Sequence, residues 1–257
     1  MKVEIPSPPS MTEQRPKFEM VEIENNQVIK LFPKGYPIKK VEEELRITKL
    51  AKDMGIEAAF VHDIVERDGR TGLVFDKITG PDYRAWMQRN PAAWPKMGRF
   101  FAFEHYELHL HIAPELPSVK QSLMAQINGS GEIPERIRKD ALNLLTRLPD
   151  GDHFCHMNYV PENVIVALEG PTLTNFSQAG RGSFIADVAK TCVLLSMGED
   201  DLLNRILLGT YQTEYMKICN RPDDELHDWM TIVASAKLAE GVESERTALL
   251  EIIEDSR

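Results

Sequence analysis

The feature that most limits the folds open to this chain is a change of character at Thr79-Gly80-Pro81. Before it, short apolar runs pair around turn dipeptides. After it, apolar residues recur with helical spacing almost to the end. Residues 20–24 and 27–32 bracket Asn25-Asn26, and residues 59–65 and 71–78 bracket Asp68-Gly69. Both pairs read as β-hairpins, because the central residues of a tight hairpin turn need positive φ, which Asn, Asp and Gly tolerate. Between them Val41, Leu45, Leu50, Ala51 and Met54 fall roughly on one helical face, with Gly55 placed as a left-handed cap. Beyond Pro81, residues 83–88, 97–111, 118–127, 134–148, 184–195, 201–219 and 225 to the end read as helices. Residues 163–168 and 172–176 form a short hairpin around Glu169-Gly170. The pattern predicts an α+β chain in two lobes: a small strand-rich one with one helix over 18–80, and a larger helical one over 81–257. Residues 1–17, polar and rich in proline, read as a tail.

Composition narrows the function classes. Of 257 residues, 30 are Lys or Arg and 40 are Asp or Glu, a formal net charge of −10. That balance argues against a nucleic-acid-binding face. No apolar run approaches the roughly 18 residues of a membrane span, and no signal-peptide centre is present. The three cysteines, Cys155, Cys192 and Cys219, contain no C-x-x-C pair. A disulfide framework or structural zinc site is therefore not expected, and a reducing cytoplasm is.

The chemistry-bearing stretch is 153–166, His-Phe-Cys-His-Met-Asn-Tyr-Val-Pro-Glu-Asn-Val-Ile-Val. A phosphotransferase catalytic loop has the form H-x-D-x-x-x-x-N followed by an apolar strand; the Asp orients the acceptor hydroxyl and the Asn binds magnesium. His156, Pro161 and Asn163 fall in place, but Asn158 stands at the Asp position. Seventeen residues further, Thr172-Leu173-Thr174-Asn175-Phe176 has the form of the strand that ends in a magnesium-chelating Asp before Phe or Trp; here that position is Asn175. Upstream, Val28-Ile29-Lys30 resembles the strand-borne lysine that pairs with ATP phosphates, and Glu44 lies on the next helix, where that lysine's partner belongs.

With these elements in this order, the chain resembles the aminoglycoside phosphotransferase family of the protein-kinase-like superfamily. The likeness extends from about residue 20 to 257. It includes 148–152 leading into the loop, Ala186-Asp187-Val188-Ala189-Lys190-Thr191, and Trp229 with 234–246 as a closing helix. It implies a bilobal protein-kinase-like fold, ATP and Mg²⁺ as cofactors, and a small molecule in the cleft between the lobes. It also implies a Lys30–Glu44 ion pair, and makes Asp187 a buried acid that anchors the catalytic loop's backbone.

Three departures bear on activity. Asn158 is a neutral amide and cannot act as a base; losing a positioned acid–base group typically costs on the order of 10²–10⁴ in rate. Asn175 removes a negative charge from a site for Mg²⁺, which prefers carboxylates. In the family a phosphate-covering loop of small residues and glycine lies just before Val21, yet the first glycine of this chain is Gly35, and residues 12–18 carry side chains and Pro16 instead. Glu162, between Pro161 and Asn163, adds a negative charge nearby. The leading expectation is a pseudokinase that binds a ligand or a protein partner. The alternatives are a weakly active small-molecule phosphotransferase, and a cleft repurposed for nucleotide-independent chemistry with His156, Glu162 or the histidines at 105–111.

Other features have plain readings. Asn163 serves equally as a turn residue capping the loop or as a metal ligand. His156 reads as a packed scaffold residue. His105, His109 and His111 miss the zincin pattern, since the acid comes one place late, at Glu107. Cys155, between Phe154 and His156, reads as buried and inert. Asp223, Asp224 and Glu225 read as a solvated loop.

Overall fold

The computed structural model describes residues 18–129, 133–198 and 202–255. The predicted tail lies outside them, as do residues 12–17 of the stretch expected in place of a phosphate-covering loop. Strands β1 (Glu19–Ile23) and β2 (Gln27–Leu31) form the first hairpin, and β3 (Val61–Arg67) and β4 (Arg70–Asp76) the second. At the turns Asn25, Asn26, Asp68 and Gly69 all have positive φ, between 54° and 68°, as two-residue hairpins require. The four strands form one antiparallel sheet in the order β1-β2-β4-β3. Helix α1 (Ile38–Asp53) joins β2 to β3 and ends at Gly55, φ 85°. It packs Val41 against Phe32, Ala59, Val61, Leu73 and Phe75, which closes one face of the sheet.

The rest is helical: α2 (Tyr83–Gln88), α3 (Trp94–Leu108), α4 (Val119–Gly129), α5 (Glu135–Arg147), α6 (Phe184–Ser196), α7 (Leu202–Cys219), α8 (Asp223–Leu238) and α9 (Glu243–Asp255). Helix α6 lies among α7, α8 and α9, and Ile185 to Val193 along it is buried without interruption, the signature of a central helix. The architecture is the expected α+β one: a small sheet lobe on a helical lobe.

Several boundaries differ from expectation. Helix α3 begins three residues early because Pro95 sits in its first turn, where its missing N–H costs nothing; it ends at Leu108, short of His111. The helix expected from 225 to the end is two, and the expected closing helix 234–246 spans the break between them. Gly241 there has φ 72°, which a continuing helix does not permit. Asp223, Asp224 and Glu225 are not a loop but the first turn of α8, where the helix dipole favours acids. The hairpin around Gly170 is shorter than expected, β6 (Val164–Val166) with β7 (Pro171–Leu173). A further pair, β5 (His153–Cys155) with β8 (Gly180–Gly182), was not anticipated. Among the described residues no helix is long and apolar enough to cross a membrane.

Contacts of the β6–β7 hairpin with the sheet lobe and with the hinge after it position the cleft. Leu173 N–H donates to the Glu57 carbonyl at 2.7 Å, and Ala59 N–H to the Leu173 carbonyl at 3.0 Å, which fixes the β6–β7 hairpin below the sheet. Opposite, Val166 N–H donates to the Pro81 carbonyl at 2.8 Å. Gly80 lies so close to this strand that a Cβ there would come within 2.2 Å of the Val166 carbonyl oxygen.

Candidate functional site

Between the sheet and the β6–β7 hairpin lies a cavity of about 410 Å³. Its lining surface is mostly apolar, with Val28, Ala59, Phe75, Ile78 and Ile165 among its residues. Lys30, Asn163 and Asn175 line it together with Glu162, so four sequence-selected residues face one space. A volume of this size, apolar with a few converging polar groups, suits a small ligand.

The polar residues form a continuous line. Lys30 is on a central strand, 6% exposed, and so is not an edge lysine. Its Nζ donates to Glu44 Oε1 at 2.6 Å and to Asn175 Oδ1 at 2.9 Å. Asn175 Nδ2 donates to Asn163 Oδ1 at 3.3 Å, and Asn163 Nδ2 to the Asn158 carbonyl at 2.8 Å. Ser177 Oγ adds a further donor to Asn175 Oδ1 at 3.1 Å. Burial pushes the Lys30 ammonium below its ordinary pKa, and the Glu44 carboxylate opposes that shift. Asn175 holds φ 64°, a left-handed conformation that Asn tolerates.

A lysine ammonium has three donors. Two of Lys30's have acceptors, and the Phe18 ring lies 4.4 Å from Nζ, with Phe32 at 5.3 Å. Phe18, Phe32 and Tyr36 pack on one another at ring-centroid distances of 4.9–5.9 Å. Phe18 was not singled out from sequence. Its place beside β2 follows from the register of the first hairpin, in which Glu19 pairs with Leu31.

The implied Mg²⁺ does not fit these residues. The ion takes oxygen ligands, carboxylates above all, with substrate phosphates. Asn163 and Asn175 supply one amide oxygen each; Asn175 Oδ1 already accepts from Lys30 and Ser177, and Asn163 Oδ1 from Asn175. Neither brings a negative charge.

Below this line the loop 156–163 is held from the core. Asp187, fully buried on α6, accepts from Met157 N–H at 2.8 Å and from His156 N–H. Met157 holds φ 57°, uncommon for a residue of its size, so the loop is restrained in a costly conformation. The same carboxylate meets His105 Nε2 at 3.2 Å and His109 Nε2 at 3.1 Å. Their Nδ1 atoms meet the Tyr211 hydroxyl at 2.7 Å and the Tyr215 hydroxyl at 2.5 Å. With each Nε2 as donor and each Nδ1 accepting from a tyrosine, every group is satisfied and both rings are neutral. Burial, with the neighbouring His109, pushes His105 down to about 3. Burial works against the charge on Asp187, but His105 and His109 hold its carboxyl well below the usual range. His105, His109 and Asp187 place their ligand-capable atoms within 4.8 Å of one another, yet these atoms already satisfy each other. His111 lies apart, its Nδ1 3.0 Å from the Leu108 carbonyl.

His156 is buried, with Nε2 3.0 Å from the Thr174 carbonyl; it ties the loop to the strand before Asn175. Cys155 is buried and its thiol pKa pushed well up by burial, leaving no thiolate for chemistry. Glu162 is more than half exposed, with Arg84 at 4.0 Å.

Compared as a sequence, the chain matches no protein-family profile and no curated protein. Compared as a structure it has clear neighbours in fold. A thermostable mutant of aminoglycoside phosphotransferase APH(4)-Ia superposes with a TM-score of 0.66 at 10% identity, over 93% of this chain and 93% of that one. Aminoglycoside phosphotransferase APH(3'')-Id from Streptomyces rimosus, in complex with ADP and streptomycin, gives 0.57 at 15% identity over 84% and 91%. A choline/ethanolamine kinase family protein from Mesorhizobium loti gives 0.54 at 11% over 93% and 85%. The fold is therefore the kinase-like one of these phosphotransferases.

Proposed function

We propose that this chain is a kinase-fold protein that binds a small molecule in the cleft between its lobes and has lost efficient phosphoryl transfer. The observation that carries this reading is the line Glu44–Lys30–Asn175–Asn163, closed on the Asn158 backbone carbonyl, in which the Asn175 amide stands where a phosphotransferase needs a carboxylate and is engaged by Lys30 and Asn163, while the Asn158 side chain replaces the second carboxylate. Phosphoryl transfer rests on positioning and on neutralising phosphate charge. Without carboxylates the site has no strong place for the metal, and Asn158 cannot take the acceptor's proton. A structural neighbour was solved in complex with ADP and streptomycin, which supports small-molecule binding by this fold.

The test is incubation with Mg²⁺ and γ-labelled ATP against mixtures of hydroxylated and amino-bearing small molecules, in parallel with an Asn158→Asp, Asn175→Asp double variant. The expected result is no labelled product from the natural chain. Product formation that disappears in Lys30→Ala would establish instead the second reading, a weakly active phosphotransferase. The intact Lys30–Glu44 pair at 2.6 Å is the observation that favours that alternative.

A further inference from the structure

Helix α3 has an outward face that its place in the fold does not explain. Its inner side, with Phe101, Ala102, His105 and Leu108, is buried, and α7 packs along it. Gly98 brings the two helices so close that a Cβ there would come within 1.9 Å of Thr210 Oγ1, so the opposite side of α3 is a formed surface on a fixed helix. On that side Lys96, Phe100, Phe103, Glu107 and, just past the helix end, Leu110 follow at spacings of four, three, four and three. Such spacing keeps residues in one stripe. All five are exposed, Phe100 by 40%, Phe103 by 46% and Leu110 by 56%. A lone exposed apolar residue is ordinary. Two phenylalanines one turn apart, with a leucine on the same line, make a strip of the kind that marks an interaction surface.

The charges on α3 run against the helix's own preference. A helix dipole favours acids near the start and bases near the end. Here Lys96 and Arg99 lie in the first two turns, and Glu104 and Glu107 in the last two. Glu104 is half-buried, and burial with Glu107 close by raises its pKa. An order of charge that costs the helix locally points to a use outside it. A second α3, running antiparallel across a two-fold axis, reverses the order. Lys96 then faces Glu107 of the partner subunit, and Phe100 faces Phe103 of the partner subunit. Symmetry repeats both contacts, which puts the aromatic pairs at the centre and the ion pairs at ends about 16 Å apart.

From this we infer that the outward face of α3 is the docking site for a second copy of this chain, in a two-fold dimer centred on Phe100 and Phe103 and registered by Lys96 and Glu107. The stripe is complementary to itself in charge as well as in shape of pattern, which a surface meant for a different partner need not be. None of these residues lines the cavity, so the dimer leaves the cleft open and the inference stands apart from the proposed ligand binding.

The experiment is sedimentation velocity of the full chain at concentrations up to about 200 µM. A monomer–dimer equilibrium is expected, shifted toward monomer as salt is raised toward about 1 M, where screening acts within about 3 Å. Phe103→Glu should weaken the dimer by about tenfold or more, since it places a charge at the apolar centre. Lys96→Glu and Glu107→Lys should each weaken it by about tenfold, because like charges then meet at both ends. Both are exposed changes, and circular dichroism checks that the fold is kept. Mixing these two variants in equal amounts should restore dimers, because in the mixed pair an acid faces a base at each end. A chain that stays monomeric throughout overturns the inference. So does a dimer indifferent to these changes, a mixture no more dimeric than its components, or open-ended assembly, which an isologous pair does not give.

Discussion

Asp187→Asn keeps the shape of the buried carboxylate and removes its charge. The effect can be worked from the contacts. Oδ1 accepts from Met157 N–H; Oδ2 accepts from His156 N–H and meets both His105 and His109. If the amide oxygen keeps Met157, the new NH₂ faces the other three. The two imidazoles can adapt by switching tautomer, accepting at Nε2 and donating from Nδ1 to the Tyr211 and Tyr215 hydroxyls. The His156 peptide N–H cannot switch. At least one buried donor is therefore orphaned, at about 1–3 kcal/mol, the two tyrosine hydroxyl hydrogens lose their Nδ1 acceptors, and the remaining hydrogen bonds lose the strengthening that an ionised acceptor gives them. A total near 3 kcal/mol is expected, a large fraction of the roughly 5–15 kcal/mol that holds a typical domain. The positive φ of Met157 loses its restraint at the same time. Urea unfolding measures the loss, and hydrogen exchange should show the His156 and Met157 amides opening more readily than the core of α6. A change below about 1 kcal/mol, with those amides still protected, would refute the assignment of Asp187 as the loop's anchor.

Other outcomes follow from the same geometry. His105, pushed to about 3 in the folded state against an ordinary 6.5 when unfolded, lets the unfolded chain bind a proton that the folded chain refuses. Stability should therefore fall as pH drops below about 6.5, by about 2 kcal/mol at pH 5 from this group alone, with His109 and His156 shifted in the same direction; a urea midpoint that does not fall from pH 7 to 5 would contradict this. Lys30→Met leaves Glu44 buried without its partner and should cost about 3 kcal/mol, most of it regained in Lys30→Met with Glu44→Leu; a double-mutant cycle in urea without coupling would count against a buried pair. Gly80→Ala forces a Cβ onto the Val166 carbonyl and should lose about 1–3 kcal/mol or more, whereas Gly209→Ala, on α7 with nothing within 4 Å, should gain about 0.5–1 kcal/mol. Melting temperatures of the pair should move in opposite directions.

What was legible in the sequence was local. Asn25-Asn26 and Asp68-Gly69 announce their turns because few residues accept positive φ, but the pairing of β2 with β4 that joins the two hairpins into one sheet is a tertiary fact. The β5–β8 pair was not legible: each strand has three residues, the partners are separated by a loop and a hairpin, and no periodicity can accumulate over so short a run. The break at Gly241 was missed because apolar spacing continues across it and one glycine is compatible with a helix. In the site, Lys30, Glu44, Asn163 and Asn175 could be selected by type and order, but that they share one line of hydrogen bonds is a tertiary fact. Phe18 was invisible because its partner is reached through space. The buried network around Asp187 did leave a signal: His105 and His109 are spaced by four, as are Tyr211 and Tyr215, and two helices with matching spacing can pair residue for residue.

The loss of phosphoryl-transfer chemistry is tested most directly by the effect of Mg²⁺ on ATP binding, measured by calorimetry on the natural chain and on the Asn158→Asp, Asn175→Asp variant. With only engaged amide oxygens at the site, the natural chain should show no tightening of ATP binding when Mg²⁺ is added. Tightening of tenfold or more in the natural chain would mean that a working metal–phosphate site is present, and would contradict the reading of Asn163 and Asn175 as a closed pair.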